Sequence, residues 1–197
     1  MPKTTDLRQK VLDASLALIE EGGLDRLSMR EVARKAGVSH QAPYHHFGDR
    51  EAILAALAGE GFSRLGQALA GAAAQAAWEP ARAVEAMGQA YVDFALRYPA
   101  YFQAMFRADA VPLDRYPEAR QREEEAFETL VESIGQVFAN EPAESRQALA
   151  VASWAMVHGL ATLILEGNLA RKLKIPKARQ RQMAKDVIAA FMRLLRK

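Results

Sequence analysis

The 197-residue chain is predicted to be all-α, with about nine helices. Three observations carry the prediction. Apolar residues recur at three- and four-residue intervals over most of the length, the period of a helix with one buried face. Prolines stand where successive runs begin, at Pro80, Pro99, Pro117, Pro142 and Pro176, close to the first-turn positions that tolerate a missing N–H. No segment alternates apolar and polar residues as a half-buried strand does.

The first helix carries Val11, Ala14, Ser15, Leu18 and Ile19 on one face and closes at Gly22-Gly23. A short helix follows in "LDRLSMREVARKAG", where Ser28 and Glu31 have the spacing of a capping box. Its apolar face is small: Val32, Ala33 and Ala36. Gly37 allows a tight turn and Val38 can tuck inside. Ser39 is the N-cap candidate for a helix of barely two turns, "HQAPYHHF". Pro43 then falls at about the fifth helical position, removing an N–H and disfavouring helical geometry at Ala42. Asp49 caps a longer helix whose apolar face is Ile53, Leu54, Leu57, Phe62, Leu65 and Leu69. Helices are expected at about 80–97, 99–107, 117–139, 143–167 and 177–196, with residues 107–117 as the one notable loop.

Half of the residues are hydrophobic and a quarter charged, as in ordinary globular domains. No apolar run approaches the roughly 18 residues that span a membrane, and the polar N-terminus lacks the apolar core of a signal peptide. With no cysteine there are no disulfides, thiolate metal ligands or thiol nucleophiles. These features predict a cytoplasmic protein without membrane contact. The net charge of +2 is unevenly spread: residues 171–197 hold ten basic residues and one acidic, residues 51–170 eight basic and sixteen acidic. A basic end can attract phosphates, but a solvated helix face opposite an acidic middle explains it more simply. Enzymatic signatures are missing: there is no glycine-rich phosphate loop, nucleophile elbow or HExxH pair. Glu123, Glu124 and Glu125 run consecutively as solvated surface. Neither an enzyme nor a bound cofactor is expected.

The stretch "GVSHQAPYHHFGDRE" (37–51) holds three of the four histidines. A metal site is disfavoured, because His40, His45 and His46 do not share one helix face. Two short helices joined by a glycine turn, after a longer helix, instead match a helix-turn-helix, whose second helix enters the major groove of DNA. His40 and Gln41 on its first turn would point outward toward base edges. Tyr44, His45 and His46 could offer hydroxyl and imidazole groups to phosphates.

The segment "LSMREVARKAGVSHQAPYHHFGDREAILAALA" resembles the DNA-binding segment of the tetracycline-repressor (TetR) family. The resemblance covers about residues 5–60 and rests on Arg30, Val32-Ala33, the Ala36-Gly37-Val38-Ser39 turn, Tyr44-His45-His46-Phe47 and Asp49-Arg50. Where the family has a small residue, Leu and Tyr, this chain has Ala42-Pro43-Tyr44. The resemblance implies a DNA-contacting set of Arg30, Ser39, His40, Gln41, Ala42, Tyr44, His45, His46 and Arg50. More loosely, "RYPAYFQAMF" and "WAMVHGLATLILEG" resemble one regulatory-domain subgroup, marked by Trp154 with His158-Gly159. The family implies a homodimer formed by the last two helices, about 143–167 and 177–196, and repression until a small molecule binds.

On that basis residues 1–50 are expected to bind double-stranded DNA, with the helix-turn-helix at about 28–47. Residues 51–197 are expected to bind an effector and the partner subunit. Tyr91, Phe94, Phe102, Met105, Phe106, Phe127 and Trp154 form an aromatic and Met-rich set, with Tyr101 beside them, that serves core packing, an effector cavity or both. His158 is either a hydrogen-bonded structural histidine or a polar group of that cavity. The alternative function is an all-α protein-interaction module without sequence-specific DNA binding.

Overall fold

A computed structural model describes residues 4–76, 79–107 and 112–195. Ten α-helices follow in order: α1 Thr4–Gly22, α2 Met29–Ala36, α3 Ala42–Phe47, α4 Arg50–Gln75, α5 Pro80–Arg97, α6 Pro99–Phe106, α7 Pro117–Val137, α8 Ala143–Leu165, α9 Asn168–Leu173 and α10 Lys177–Leu195. Among the described residues there is no strand. Of the expected 107–117 loop, residues 108–111 lie outside the described residues and Leu113–Arg115 forms a 3₁₀ turn. The sequence does not announce α9, which at six residues is too short for a periodic signal. It lies between two left-handed residues, Gly167 (φ 70°) and Lys174 (φ 53°).

The helices gather into two compact units. One comprises residues up to Ser63 with Tyr98–Glu123; the other comprises Arg64–Arg97 and the residues from Glu124 onward. Residue 50, the boundary expected from the sequence, is the first residue of α4, and α4 continues across the division between Ser63 and Arg64.

In the first unit, Val11, Leu12, Leu18 and Ile19 of α1, Val32 of α2 and Ile53, Leu54 and Leu57 of α4 are fully buried. Asp49 caps α4 as expected, its Oδ1 accepting the Ala52 N–H at 2.8 Å. Further along α4, a Cβ on Gly61 would stand 2.5 Å from Met105 Sδ and 3.4 Å from Tyr101 Cβ. That close approach of α6 accounts for a glycine in mid-helix, which costs about 1 kcal/mol relative to alanine.

In the second unit, α5 packs against α8 and α10. Val84, Ile134, Ala150 and Met192 form a buried cluster, enclosed by Leu130, Val131, Phe138, Leu149 and Leu195. An 18-residue window of α8 has a mean hydropathy of 1.8, so this helix is long and apolar enough to cross a membrane by length and composition, with a third of that window buried in the protein. The expectation that no apolar stretch approaches spanning length is thereby corrected. Scattered polar residues such as Ser153 and His158 hide the stretch from a search for an unbroken run. Ala150, Val157, Leu160, Ala161 and Ile164 form the buried face of α8, whereas Val151 and Leu163 are 47% and 43% exposed.

Candidate nucleic-acid interface

The interface is built on α2, the turn after it and α3. Ser28 is extended, and its Oγ accepts the Glu31 N–H at 3.2 Å, which fixes the start of α2. The reciprocal half of the capping box is replaced by an ion pair. Glu31 Oε2 accepts from Arg34 Nη2 at 2.6 Å, and this bond holds the Glu31 carboxyl below its usual range. Gly37 ends α2 in the left-handed region (φ 65°, ψ 34°), and nothing lies within 4 Å of the Cβ it lacks. The glycine is therefore required by backbone conformation, not by space.

Helix α3 begins at Ala42, not directly after Ser39. The Ser39 carbonyl accepts the Ala42 N–H at 3.0 Å in a turn, and Gln41 occupies the cap position with no side-chain cap bond. Ser39 as N-cap is thus corrected. The later start also removes the difficulty of Pro43: it becomes the second helical residue, where the N–H lacks an intrahelical partner in any case.

Ala42 and Pro43 are buried and seat the helix. Ala42, named as a DNA contact, is therefore a packing foot and presents almost no surface. Ser39, His40, Gln41 and His45 are exposed, Tyr44 is 51% exposed, and Arg30 on α2 is exposed as well. His46 is half-buried, with its ring 5.3 Å from that of His45. The result is a short helix on a buried base with hydroxyl, amide and imidazole groups along its open edge. Such groups can bond to phosphate oxygens and base edges.

Arg50 has a different position from the one its motif implies. Its Nη2 donates to the Leu24 carbonyl at 2.8 Å and its Nε to the Leu27 carbonyl at 2.9 Å. The guanidinium thus ties the first turn of α4 to the 3₁₀ turn Leu24–Arg26. Two of its nitrogens are engaged by backbone carbonyls, of which that of Leu24 also accepts the Leu27 N–H at 3.1 Å, so Arg50 serves here as a strut.

The eight residues named for an effector cavity divide between the two units. Phe102, Met105 and Phe106 belong to the first. There Phe106 packs against Phe62 and Phe102, at centroid distances of 5.6 and 4.9 Å. Tyr91, Phe94, Phe127, Trp154 and His158 belong to the second. Phe94 is buried. Phe127 meets the Trp154 ring edge-on at 5.7 Å, and the Trp154 ring lies 6.1 Å from that of His158. Tyr91 Oη and His158 Nδ1 are 2.9 Å apart.

Burial raises the Tyr91 pKa, while a hydrogen bond with the Trp154 side chain opposes the rise. Burial also lowers the pKa of His158. The Tyr91 hydroxyl, kept protonated by its burial, can donate to the imidazole. A neutral His158 with its proton on Nε2 accepts that hydrogen bond at Nδ1. Among the described residues, no group of three or more His, Asp or Glu is placed to hold a metal ion.

The model of bacterial regulatory proteins of the tetR family matches residues 11–57, and that of the tetracyclin repressor-like C-terminal domain matches residues 84–194. The chain belongs to the TetR family. A solved structure, of a protein with unknown function from Rhodococcus sp. RHA1, is 31% identical, with a TM-score of 0.75 over 92% of this chain and 93% of that one. The HTH-type transcriptional regulator YobS of Bacillus subtilis is 26% identical over 103 residues, 52% of this chain and 53% of YobS. The class D tetracycline repressor protein of Escherichia coli is 40% identical over 57 residues, 29% of this chain and 26% of the repressor. The chain thus spans about half the length of the first curated relative and about a quarter of the second. Helices α2 and α3 lie within the part that matches the model of bacterial regulatory proteins of the tetR family.

Two features of this TetR-family chain were missed at the level of sequence. The acceptors of Arg50 lie 23 and 26 positions earlier, and no local motif encodes them. The bond between Tyr91 and His158 spans 67 positions. Only the presence of one histidine among aromatic residues hinted at it.

Proposed function

We propose that the protein represses transcription by binding, as a homodimer, an inverted-repeat operator, and that a small apolar or aromatic molecule releases it. The exposed edge of α3 carries this reading: Ser39, His40, Gln41, Tyr44 and His45 stand open above the buried Ala42 and Pro43. A six-residue helix with so little core of its own has its polar groups free for a partner, and DNA is the partner that suits a helix-turn-helix. Arg30 on α2 is exposed as well. On this reading the protein acts in the cytoplasm.

Two observations in the second unit support the rest. The exposed Val151 and Leu163 of α8, with Val187 and Leu194 of α10 at 37% and 68% exposure, form apolar surface that a second copy would cover. The cluster of Phe127, Trp154, Tyr91 and His158 combines aromatic faces with a few fixed polar groups, the usual character of a small-molecule site. Ser153 on the same helix supports this: its buried Oγ has no hydrogen-bond partner among the described residues.

Transcription in vitro from a promoter carrying the operator tests repression. Transcript should fall as protein is added. A rise would make the protein an activator, and no change on any bound promoter would remove the regulatory reading.

A further inference from the structure

The first unit contains a groove of about 620 Å³ that the DNA-binding reading does not use. Its size lies within the range of small-molecule sites, roughly 300–1,000 Å³. The floor is a stripe on one face of α4, Ala52, Ala55, Ala56 and Gly59, at the helical spacing that aligns residues on one side. The groove exists because these side chains are small. Ala119 at the start of α7 closes against Gly59, whose missing Cβ would lie 3.4 Å from the Ala119 Cβ.

Three guanidinium groups, Arg8, Arg115 and Arg122, line the groove. Arg115 is paired with Glu51 at 3.2 Å, and Arg8 lies over the Phe47 ring at 5.1 Å. Arg122 is exposed, with its Cδ 3.6 Å from where a Cβ on Gly59 would stand, and has no ion pair among the described residues. Two carboxylates also line the groove, Glu60 and Glu118. Glu60 accepts the Tyr101 hydroxyl at 2.9 Å, and Glu118 is exposed. At the far end stand His46 and Phe47, the last residues of α3.

We propose that this groove is a second ligand site, distinct from the aromatic cluster of the other unit. It takes a small flat molecule with an apolar body and one carboxylate. The apolar body lies on the alanine stripe, and Arg122 receives the carboxylate, whose two oxygens match the planar fork of a guanidinium. Because His46 and Phe47 belong to the helix that faces DNA, occupancy of the groove changes DNA affinity. The coupling is reciprocal, with the same factor acting on ligand and DNA. That consequence rests on the DNA-binding reading, whereas binding itself does not.

The test is therefore made without DNA, by NMR of the full chain with 2-naphthoate at millimolar concentration and with its uncharged counterpart 2-naphthamide. Naphthoate should shift backbone amides in residues 52–59 and 116–122. Arg122→Gln should weaken it by about tenfold, the loss of one charge-assisted hydrogen bond, and naphthamide should be weaker by a similar factor. Ala56→Leu should fill the floor and abolish the shifts while leaving the thermal transition in place, which separates lost binding from lost folding. Absence of shifts in these segments, an affinity unchanged by Arg122→Gln, or equal affinity for the amide would overturn the proposal.

Discussion

Arg50 and Leu24 stand 26 positions apart in sequence and are joined by a hydrogen bond of 2.8 Å from guanidinium Nη2 to carbonyl oxygen. The bond, with its companion to Leu27, ties the first turn of α4 to the 3₁₀ turn Leu24–Arg26. Arg50→Ala should therefore act on stability, lowering it by about 1–3 kcal/mol in urea denaturation, as loss of bonds from a charged donor does. Arg50→Lys, able to reach one carbonyl, should fall between. The salt dependence of DNA binding distinguishes this role from phosphate contact. A strut leaves the slope unchanged, whereas a lost phosphate contact reduces it by about one unit.

Two glycines of α4 should respond oppositely to alanine. At Gly61 the new methyl group would meet Met105 Sδ at 2.5 Å and Cγ at 2.8 Å, whereas nothing lies within 4 Å at Gly71. Gly71→Ala should stabilise by up to about 1 kcal/mol through helix propensity. Gly61→Ala should destabilise by about 1–2 kcal/mol through overpacking. In a Met105→Ala background the Gly61 substitution should become favourable, and a double-mutant cycle in urea measures the difference.

His158 should titrate below the usual imidazole value of about 6.5, because burial disfavours its charged form. Between the lowered folded value and the unfolded one, the unfolded chain binds more protons, so stability rises with pH across that window and falls on acidification. NMR titration of the imidazole C–H resonances gives the folded value directly. Tyr91→Phe removes the hydroxyl partner of Nδ1 and should cost about 1 kcal/mol. An imidazole titrating above the usual value would contradict the neutral assignment.

The apolar surface of α8 and α10 makes assembly testable. The native chain should sediment as a dimer at micromolar concentration, and Val151→Glu with Leu163→Glu should leave a folded monomer, since the carboxylates would have to be buried without partners. A native monomer would remove the dimer from the proposed function.

Local features were legible in the sequence, and distant pairings were not. Asp49 caps α4 through a hydrogen bond to a residue three positions on, so its role could be recognised from the adjoining residues. Ser39 looked like a cap for the same reason. The chain instead uses the Ser39 carbonyl in a turn, because the left-handed Gly37 sets the path into α3 and Pro43 is best accommodated in the first turn. The part played by Arg50 and the bond between Tyr91 and His158 depend on helices brought together from far apart. The groove over Ala52–Gly59 was invisible because it is made by small residues whose neighbours across the space lie sixty positions away. The aromatic set was recognised as a group, but the sequence could not assign Phe102, Met105 and Phe106 to one unit and Tyr91 and Trp154 to the other.

The central claim, that the exposed edge of α3 reads DNA, is tested most directly by selecting bound duplexes from a random pool with the native protein, Gln41→Ala and Tyr44→Ala, and sequencing them. The native protein should enrich an inverted repeat with half-site centres one helical turn apart, about 34–36 Å, or a multiple of it. Gln41→Ala should relax preference at one base position in each half-site, by about 1–3 kcal/mol, while Tyr44→Ala should weaken all sites and keep the motif. No enriched sequence, a motif without dyad symmetry, or enrichment identical for all three proteins would contradict the claim.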